Sequence, residues 1–188
     1  MIGLLAAFTV PAFQSIGRAQ GVEAATGYLL QAMERVRQEA VSRQSPAWLV
    51  LRTTSVNGIP ALQVGMVASI DGTTDTDQSN LDPIGRVQVI ERVGLGDVSI
   101  ADAVQLAGLG LGPSFSIGSS SFGNDPALLF TPAGEVSTNS NLGTDGGFTP
   151  VIAFSVRPAL GESLSADDSN QIVVDGCTAT ATLKRTLQ

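Results

Sequence analysis

The feature that most constrains the fold is a helical repeat of apolar residues near the start of the chain. Between Gln14 and Arg43 these residues recur at steps of three and four, while polar residues fill the opposite face. The stripe consists of Val22, Ala25, Leu29, Met33, Val36 and Ala40. This pattern predicts an amphipathic helix with one buried face. The helix should end near Pro46, because a proline ring cannot continue it.

The preceding residues, 2–13, read IGLLAAFTVPAF and are uncharged and mostly apolar. They fall short of the roughly 18 to 20 residues that a membrane-spanning helix needs. No charged segment precedes them, so they do not resemble an ordinary secretory signal. Residues 1–45 are therefore predicted to form one helical arm, apolar over 2–13 and amphipathic over 14–44. Pro11 predicts a kink within the arm.

Residues 46–188 predict a β-rich head. Glycine, proline and small polar residues are concentrated there and suit short strands joined by turns. The predicted strands are 47–53, 61–69, 86–91, 113–117, 127–130, 151–156, 171–174 and 178–185, with turns at 57–58, 71–72, 132–134, 146–147 and 175–176. The aromatic residues of the head, Trp48, Phe115, Phe122, Phe130, Phe148 and Phe154, are expected in its core. The predicted fold class is α+β, with a long amino-terminal helix packed on an antiparallel sheet.

Charge and residue usage exclude several functions. The chain has ten basic and seventeen acidic residues. The first 44 positions hold four basic and three acidic residues, so the rest of the chain holds six basic and fourteen acidic residues. This negative head disfavours nucleic acid. Histidine is absent, which removes histidine-based nucleophile pairs and metal sites, so no enzyme activity is expected. The lone cysteine, Cys177, is predicted to be a small buried residue.

Four acidic residues, Asp71, Asp75, Asp77 and Asp82, lie close together in the segment DGTTDTDQSNLD. Closely spaced oxygen ligands can hold Ca²⁺, but this spacing does not match an EF-hand. The segments 71–82 and 118–125 are instead predicted to be exposed polar loops. No metal and no cofactor are assigned.

The start of the chain resembles a known family. The run IGLLAAFTVPAFQSI is similar to the second half of the amino-terminal segment of type IV pilins and type II secretion pseudopilins, with Gly3, Leu4, Leu5, Ala6, Ala7 and Pro11 matching in order. The helix YLLQAMERVRQEAVSRQSP resembles that of the H-type (FimT-like) minor pseudopilins, including Arg37 and Ala40. The segment 130–135, FTPAGE, resembles a strand and turn of their heads.

The resemblance implies a pilin-like fold and a structural role as a minor pseudopilin or minor pilin. The helix of a filament core and membrane anchor would include Gly3, Leu4, Leu5, Ala6, Ala7, Phe8 and Pro11. Helix-to-head packing would use Val22, Leu29, Met33, Val36 and Ala40. Implied partners are other pilin-like subunits, the bacterial inner membrane and a prepilin peptidase. The precursor would lie in that membrane, with a periplasmic or extracellular head.

The sequence departs from the family at its beginning. Family members start with a basic leader, a cleaved glycine, a methylated residue that is usually phenylalanine, and a glutamate a few residues later, and none of these is present. Either the sequence begins about a dozen residues late, which the short apolar run favours, or the protein has lost this processing. An alternative function is an anchored β-rich module that binds a secreted substrate or a surface.

Overall fold

The computed structural model describes residues 2–98, 100, 103–123, 125–138, 151–165 and 169–185, except for the side chains of 2–18, 107 and 185. Helix α1 spans Ile2–Arg43, which is roughly 60 Å at 1.5 Å per residue. It continues through Pro11 as one element. The predicted turn at 146–147 and Phe148 lie outside the described residues.

The carboxyl end of α1 is closed by its own backbone. Gln44 adopts a left-handed conformation with φ 52°, and its N–H donates to the carbonyl of Val41 at 3.3 Å. The N–H of Ser45 donates to the carbonyl of Ala40 at 3.1 Å. These two bonds form the Schellman motif and satisfy carbonyls that a helix end leaves unpaired. The predicted end near Pro46 is confirmed, and the cap supplies the local reason.

Fourteen strands follow within the described residues, and most pair as antiparallel neighbours. Their bounds are β1 Ala47–Val56, β2 Ile59–Ser69, β3 Leu81–Pro83, β4 Gln88–Glu91, β5 Val93–Gly96, β6 Val104–Gln105, β7 Phe115–Ile117, β8 Ser120–Phe122, β9 Ala127–Phe130, β10 Val136–Thr138, β11 Val151–Leu160, β12 Ser163–Leu164, β13 Asn170–Asp175 and β14 Ala181–Arg185. Short 3₁₀ helices span Gln78–Asn80 and Leu106–Gly108. The described chain is thus α+β.

The strands form two larger sheets, where the sequence predicted one. The first sheet has the order β10-β9-β1-β2-β3, with β4 also paired to β2. The second has the order β12-β11-β13-β14, with β5 antiparallel and β6 parallel to β11. A separate hairpin is made of β7 and β8. A single sheet with this many strands would curl strongly. Division into two sheets lets both of them pack on the same helix.

The main core lies where α1 meets both sheets. It joins the helix stripe to first-sheet residues such as Leu49 and Phe130 and to second-sheet residues such as Phe154 and Ile172, all fully buried. Side chains alternate along β1, so that Leu49 and Leu51 belong to this core while Trp48 and Val50 point to the other face. The helix therefore connects two sheets through one continuous apolar layer.

The outer face of the first sheet is covered by the β7–β8 hairpin. Phe115 and Phe122 stack with ring centroids 4.8 Å apart, and they pack in one cluster with Trp48, Val67 and Leu129. Gly65 of β2 makes room for this stack, because a Cβ there would lie 2.9 Å from both rings. Both faces of the first sheet are therefore buried where the first half of β1 lies between β2 and β9.

Three sequence predictions are wrong in detail. Cys177 is exposed, since it lies in the turn between β13 and β14 and not in a strand. The segment 71–82 contains a 3₁₀ turn and the start of β3, with Asn80 and Leu81 buried. The segment 118–125 contains β8, and Phe122 is 2% exposed. Leu81 and Phe122 are buried because they pack in one cluster with Trp48, far away in the sequence, whereas Cys177 is exposed because it lies in a local hairpin turn.

Candidate functional site

The candidate assembly element is helix α1. The seven predicted anchor residues, which lie between Gly3 and Pro11, are on helical backbone, and their side chains fall outside the described part. Ala19 and Gln20 are exposed, and the first buried side chain described along α1 is Val22. Within the described residues no helix meets the length and hydropathy of a membrane span.

The five predicted packing residues of α1 all lie in the core. Val22, Leu29, Met33, Val36 and Ala40 are each at most 1% exposed. Ala25 and Ala32 join them and widen the buried stripe. Fully burying a side chain the size of Leu29 or Met33 stabilises a fold by about 1.5–3 kcal/mol. The carboxyl half of α1 is thus an integral part of the head.

A buried polar contact fixes α1 against the second sheet. The Thr26 hydroxyl donates to the carbonyl of Val22 at 2.7 Å and accepts from Asn170 Nδ2 at 3.2 Å. Thr26 is 2% exposed and Asn170 8%. Because a buried donor without a partner is costly, this pair favours one register of the helix on β13.

A second contact joins α1 to the turn between β9 and β10. Arg37 Nε donates to the carbonyl of Gly134 at 3.3 Å, and Arg37 also pairs with Glu34 at 3.5 Å. Gly134 has φ +83°, in the turn between β9 and β10, and a Cβ there would lie 3.6 Å from Val41. The helix motif and the FTPAGE turn therefore meet at one junction.

The end of α1 is tied to the edge of the first sheet by Arg43. Its guanidinium pairs with Asp82 at 2.5 Å and with Glu39 at 2.8 Å. The hydrogen bonds to Asp82 and then to Glu39 raise the pKa of Arg43 above its usual value. All three side chains are partly exposed, so we expect a small contribution to stability.

Residues 71–80, here named the acidic loop, are ordered around Asn80. Asn80 Nδ2 donates to Asp71 Oδ1 at 2.7 Å, and Asn80 Oδ1 accepts from the Asp71 N–H at 3.0 Å. The Thr73 N–H and hydroxyl also donate to Asp71, at 2.8 and 2.7 Å. The bonds from Thr73, followed by that from Asn80, hold the pKa of Asp71 well below its usual value. Asp75 and Asp77 are exposed on the same loop.

The described residues contain no group of three or more acidic, cysteine or histidine side chains placed to hold a metal ion. Among the four acidic positions singled out in the sequence, Asp82 faces Arg43, and Asp71 is engaged within the loop. The acidic loop is therefore an exposed carboxylate surface with an ordered backbone.

A basic surface lies beside α1, about 12 Å along the axis from Arg43. A Cβ on Gly85 would lie 3.4 Å from both terminal nitrogens of Arg35, so this guanidinium covers the turn between β3 and β4. Arg86 follows in the chain, and Arg35 and Arg86 are both exposed. Burial raises the pKa of Tyr28, and the Arg35 charge partly opposes that rise. Tyr28, Arg35, Gly85 and Arg86 are here named the arginine patch.

Sequence reasoning missed several of these residues for different reasons. Thr26 lies on the helix stripe at step four from Val22, and its position there could have signalled a buried polar contact. The partners Asn170, Gly134 and Gly85 lie 144, 97 and 50 positions from their helix contacts, counted from Thr26, Arg37 and Arg35. No local pattern connects such distant positions.

Comparison with known proteins gives no relative. No protein-family model matches the sequence, and searches for similar curated proteins and similar solved structures gave no match.

Proposed function

We propose that this chain is a structural subunit, a minor pseudopilin or minor pilin, that assembles through its amino-terminal helix into a type II secretion pseudopilus or a type IV pilus. The observation that carries the proposal is the division of α1. One continuous helix spans Ile2–Arg43, and its described burial in the head begins at Val22. The apolar residues 2–13 lie at the amino-terminal end of the same helix.

The physical role follows from this division. Burial in the head fixes the orientation of the carboxyl half of α1. Exposure of the apolar amino-terminal end to water is unfavourable, so an apolar surface should cover it. A membrane can cover it before assembly, and neighbouring copies of the same helix can cover it afterwards. Small residues such as Gly3, Ala6 and Ala7 allow close approach of helices in such a bundle. The pilin-like resemblance of residues 2–45 supports the same role.

The experiment is flotation of the 188-residue chain with phospholipid vesicles, together with sedimentation of the protein in detergent. The parent should float with vesicles and self-associate. The variant Leu4→Gln with Leu5→Gln should lose both properties while Trp48 fluorescence stays that of the folded head. Val41→Gln is the matched control, because Val41 is an exposed apolar residue of the same helix. A parent that neither floats nor self-associates, or a double variant that behaves like the parent, would contradict the proposal.

A further inference from the structure

The β7–β8 hairpin is attached to the head differently from every other described strand. Within the described residues, β7 and β8 pair only with each other, whereas the remaining strands all belong to one of the two larger sheets. The hairpin covers the outer face of the first sheet through side chains, chiefly the stacked rings of Phe115 and Phe122. It can therefore leave that face without breaking the strand pairing of either larger sheet.

The two ends of the hairpin segment meet at one point, here named the neck. The N–H of Gly112 donates to the carbonyl of Asp125 at 2.8 Å, which closes the base of the segment. The N–H of Leu51 in β1 donates to the carbonyl of Pro126 at 2.9 Å, which fixes the neck to the first sheet. A loop closed at its base can move as one body while the residues beyond its base stay in place.

An exposed arginine forms the polar link between the sheet and the hairpin. Arg52 Nη1 donates to the carbonyl of Ser121 in β8 at 2.7 Å, and Arg52 Nε lies 3.8 Å from Asp125 Oδ1. The Arg52 side chain is 43% exposed. Water can replace such contacts at little cost, so this link holds the hairpin only weakly.

The indole N–H beneath the hairpin favours its release. Trp48 Nε1 is buried without a hydrogen-bond partner, in the cluster that the hairpin covers. An unpaired buried donor raises the free energy of the closed state, and water can pair with it once the hairpin has left. Burial of Phe115 and Phe122 acts in the opposite direction and keeps the closed state dominant. Opening should still cost less than unfolding the sheet, because it leaves the helix core intact.

We infer that the β7–β8 hairpin is a flap, which opens as a unit at the neck while both larger sheets stay folded. Opening exposes Trp48 together with the apolar residues Val50, Val67 and Leu129 of the first sheet. The closed form is the described structure, and the open form is a minor population. The inference does not rest on the proposed function, because α1 lies on the opposite face of this sheet.

Hydrogen exchange at the two N–H groups of Trp48 tests the flap, measured by nuclear magnetic resonance on the full chain in detergent. The backbone N–H lies in the ladder of β1 between Val67 and Leu129, so its release requires the sheet to open. The indole N–H requires only the flap to open. After correction for intrinsic rates, the indole should exchange at least about tenfold faster. Its exchange should also depend less on urea, because flap opening exposes less surface than unfolding.

Two variants separate flap opening from unfolding. Arg52→Gln removes the polar link and should speed indole exchange about two- to fivefold. Val36→Ala weakens the helix core, which is present in both the closed and the open form, so it should speed exchange of the backbone N–H and leave the indole unchanged. Arg43→Gln is the control for Arg52→Gln, because it removes exposed ion pairs at the end of α1 and should not alter indole exchange.

Two results would overturn the flap. Indole exchange that accelerates with the backbone N–H in Val36→Ala would show that only unfolding releases the indole. Indole exchange that is unchanged in Arg52→Gln would show that water reaches Trp48 without movement of the hairpin. If Val36→Ala does not fold, the urea dependence in the parent decides instead, and equal dependence for the two N–H groups would overturn the flap.

Discussion

The two faces of the first sheet bury apolar side chains under very different covers. The inner face lies against α1, where Leu29 and Val36 are fully buried, and α1 in turn meets the second sheet through the hydrogen-bonded pair of Thr26 and Asn170. The outer face lies under the short β7–β8 hairpin. There Trp48 Nε1 is buried without a hydrogen-bond partner. Among the described residues, no other buried side-chain nitrogen or oxygen lacks one. The comparison teaches that α1 covers the inner face without leaving a buried side-chain nitrogen or oxygen unpaired among the described residues, whereas the hairpin leaves the indole N–H of Trp48 unpaired.

The largest effect should come from the inner face. Leu29→Ala should lower the free energy of unfolding by about 2–5 kcal/mol, because the cavity is enclosed by the helix and both sheets. Leu183→Ala is the matched control, since Leu183 is 38% exposed, and its effect should be much smaller. Urea unfolding followed by circular dichroism measures both. Equal losses for the two variants would contradict the inner face as the dominant core.

The outer face should depend on the absence of a side chain at Gly65. Gly65→Ala should cost about 1–3 kcal/mol, because its Cβ would lie 2.9 Å from the Phe115 and Phe122 rings. Trp48 fluorescence should change as the stack shifts. Gly27→Ala is the control, because nothing lies within 4 Å of its Cβ and helix propensity favours alanine by up to about 1 kcal/mol. A Gly65→Ala protein as stable as the parent would show that the hairpin is only loosely seated.

A smaller effect should follow from removing the unpaired indole N–H. Trp48→Phe loses apolar contacts, but it also removes an unsatisfied donor whose burial costs about 1–3 kcal/mol. The net change in unfolding free energy should therefore stay within about 1.5 kcal/mol. Phe130→Leu removes ring volume from the inner face without such compensation and should cost more. Chemical unfolding of both variants measures the two changes in unfolding free energy. A larger loss of stability for Trp48→Phe than for Phe130→Leu would mean that the indole N–H has a hydrogen-bond partner in solution.

Low pH should destabilise the fold through groups that lie outside the two apolar clusters. Neither cluster contains a carboxylate among its described members. The folded pKa of Asp71 is depressed, so its contribution is present above the unfolded value of about 3.9 and is lost as pH falls toward the folded pKa. Asp71→Asn should weaken the fall of stability below about pH 4, measured by thermal unfolding across pH. Asp77→Asn should leave that limb unchanged. An unaltered acid limb in Asp71→Asn would contradict the Asp71 network as its source.

Prediction succeeded where several consecutive residues carried a clear pattern. The helix stripe indicated α1 and its end, and the apolar run 127–130 gave β9 with its observed bounds. Short strands such as β6 and β12, each two residues long, were missed, because two residues carry no periodicity. Cys177 was misplaced because its neighbours resemble a strand while a hairpin turn decides its exposure.

The sequence by itself determined the long amphipathic helix, the β-rich head and the acidic balance. Periodicity and charge are local properties, and they can be read without a fold. Only the tertiary structure decided that two sheets pack against one face of the helix, that Arg37 meets Gly134 and that Arg35 covers Gly85. These contacts join residues dozens of positions apart, and they form because one buried helix face must be covered on all sides at once.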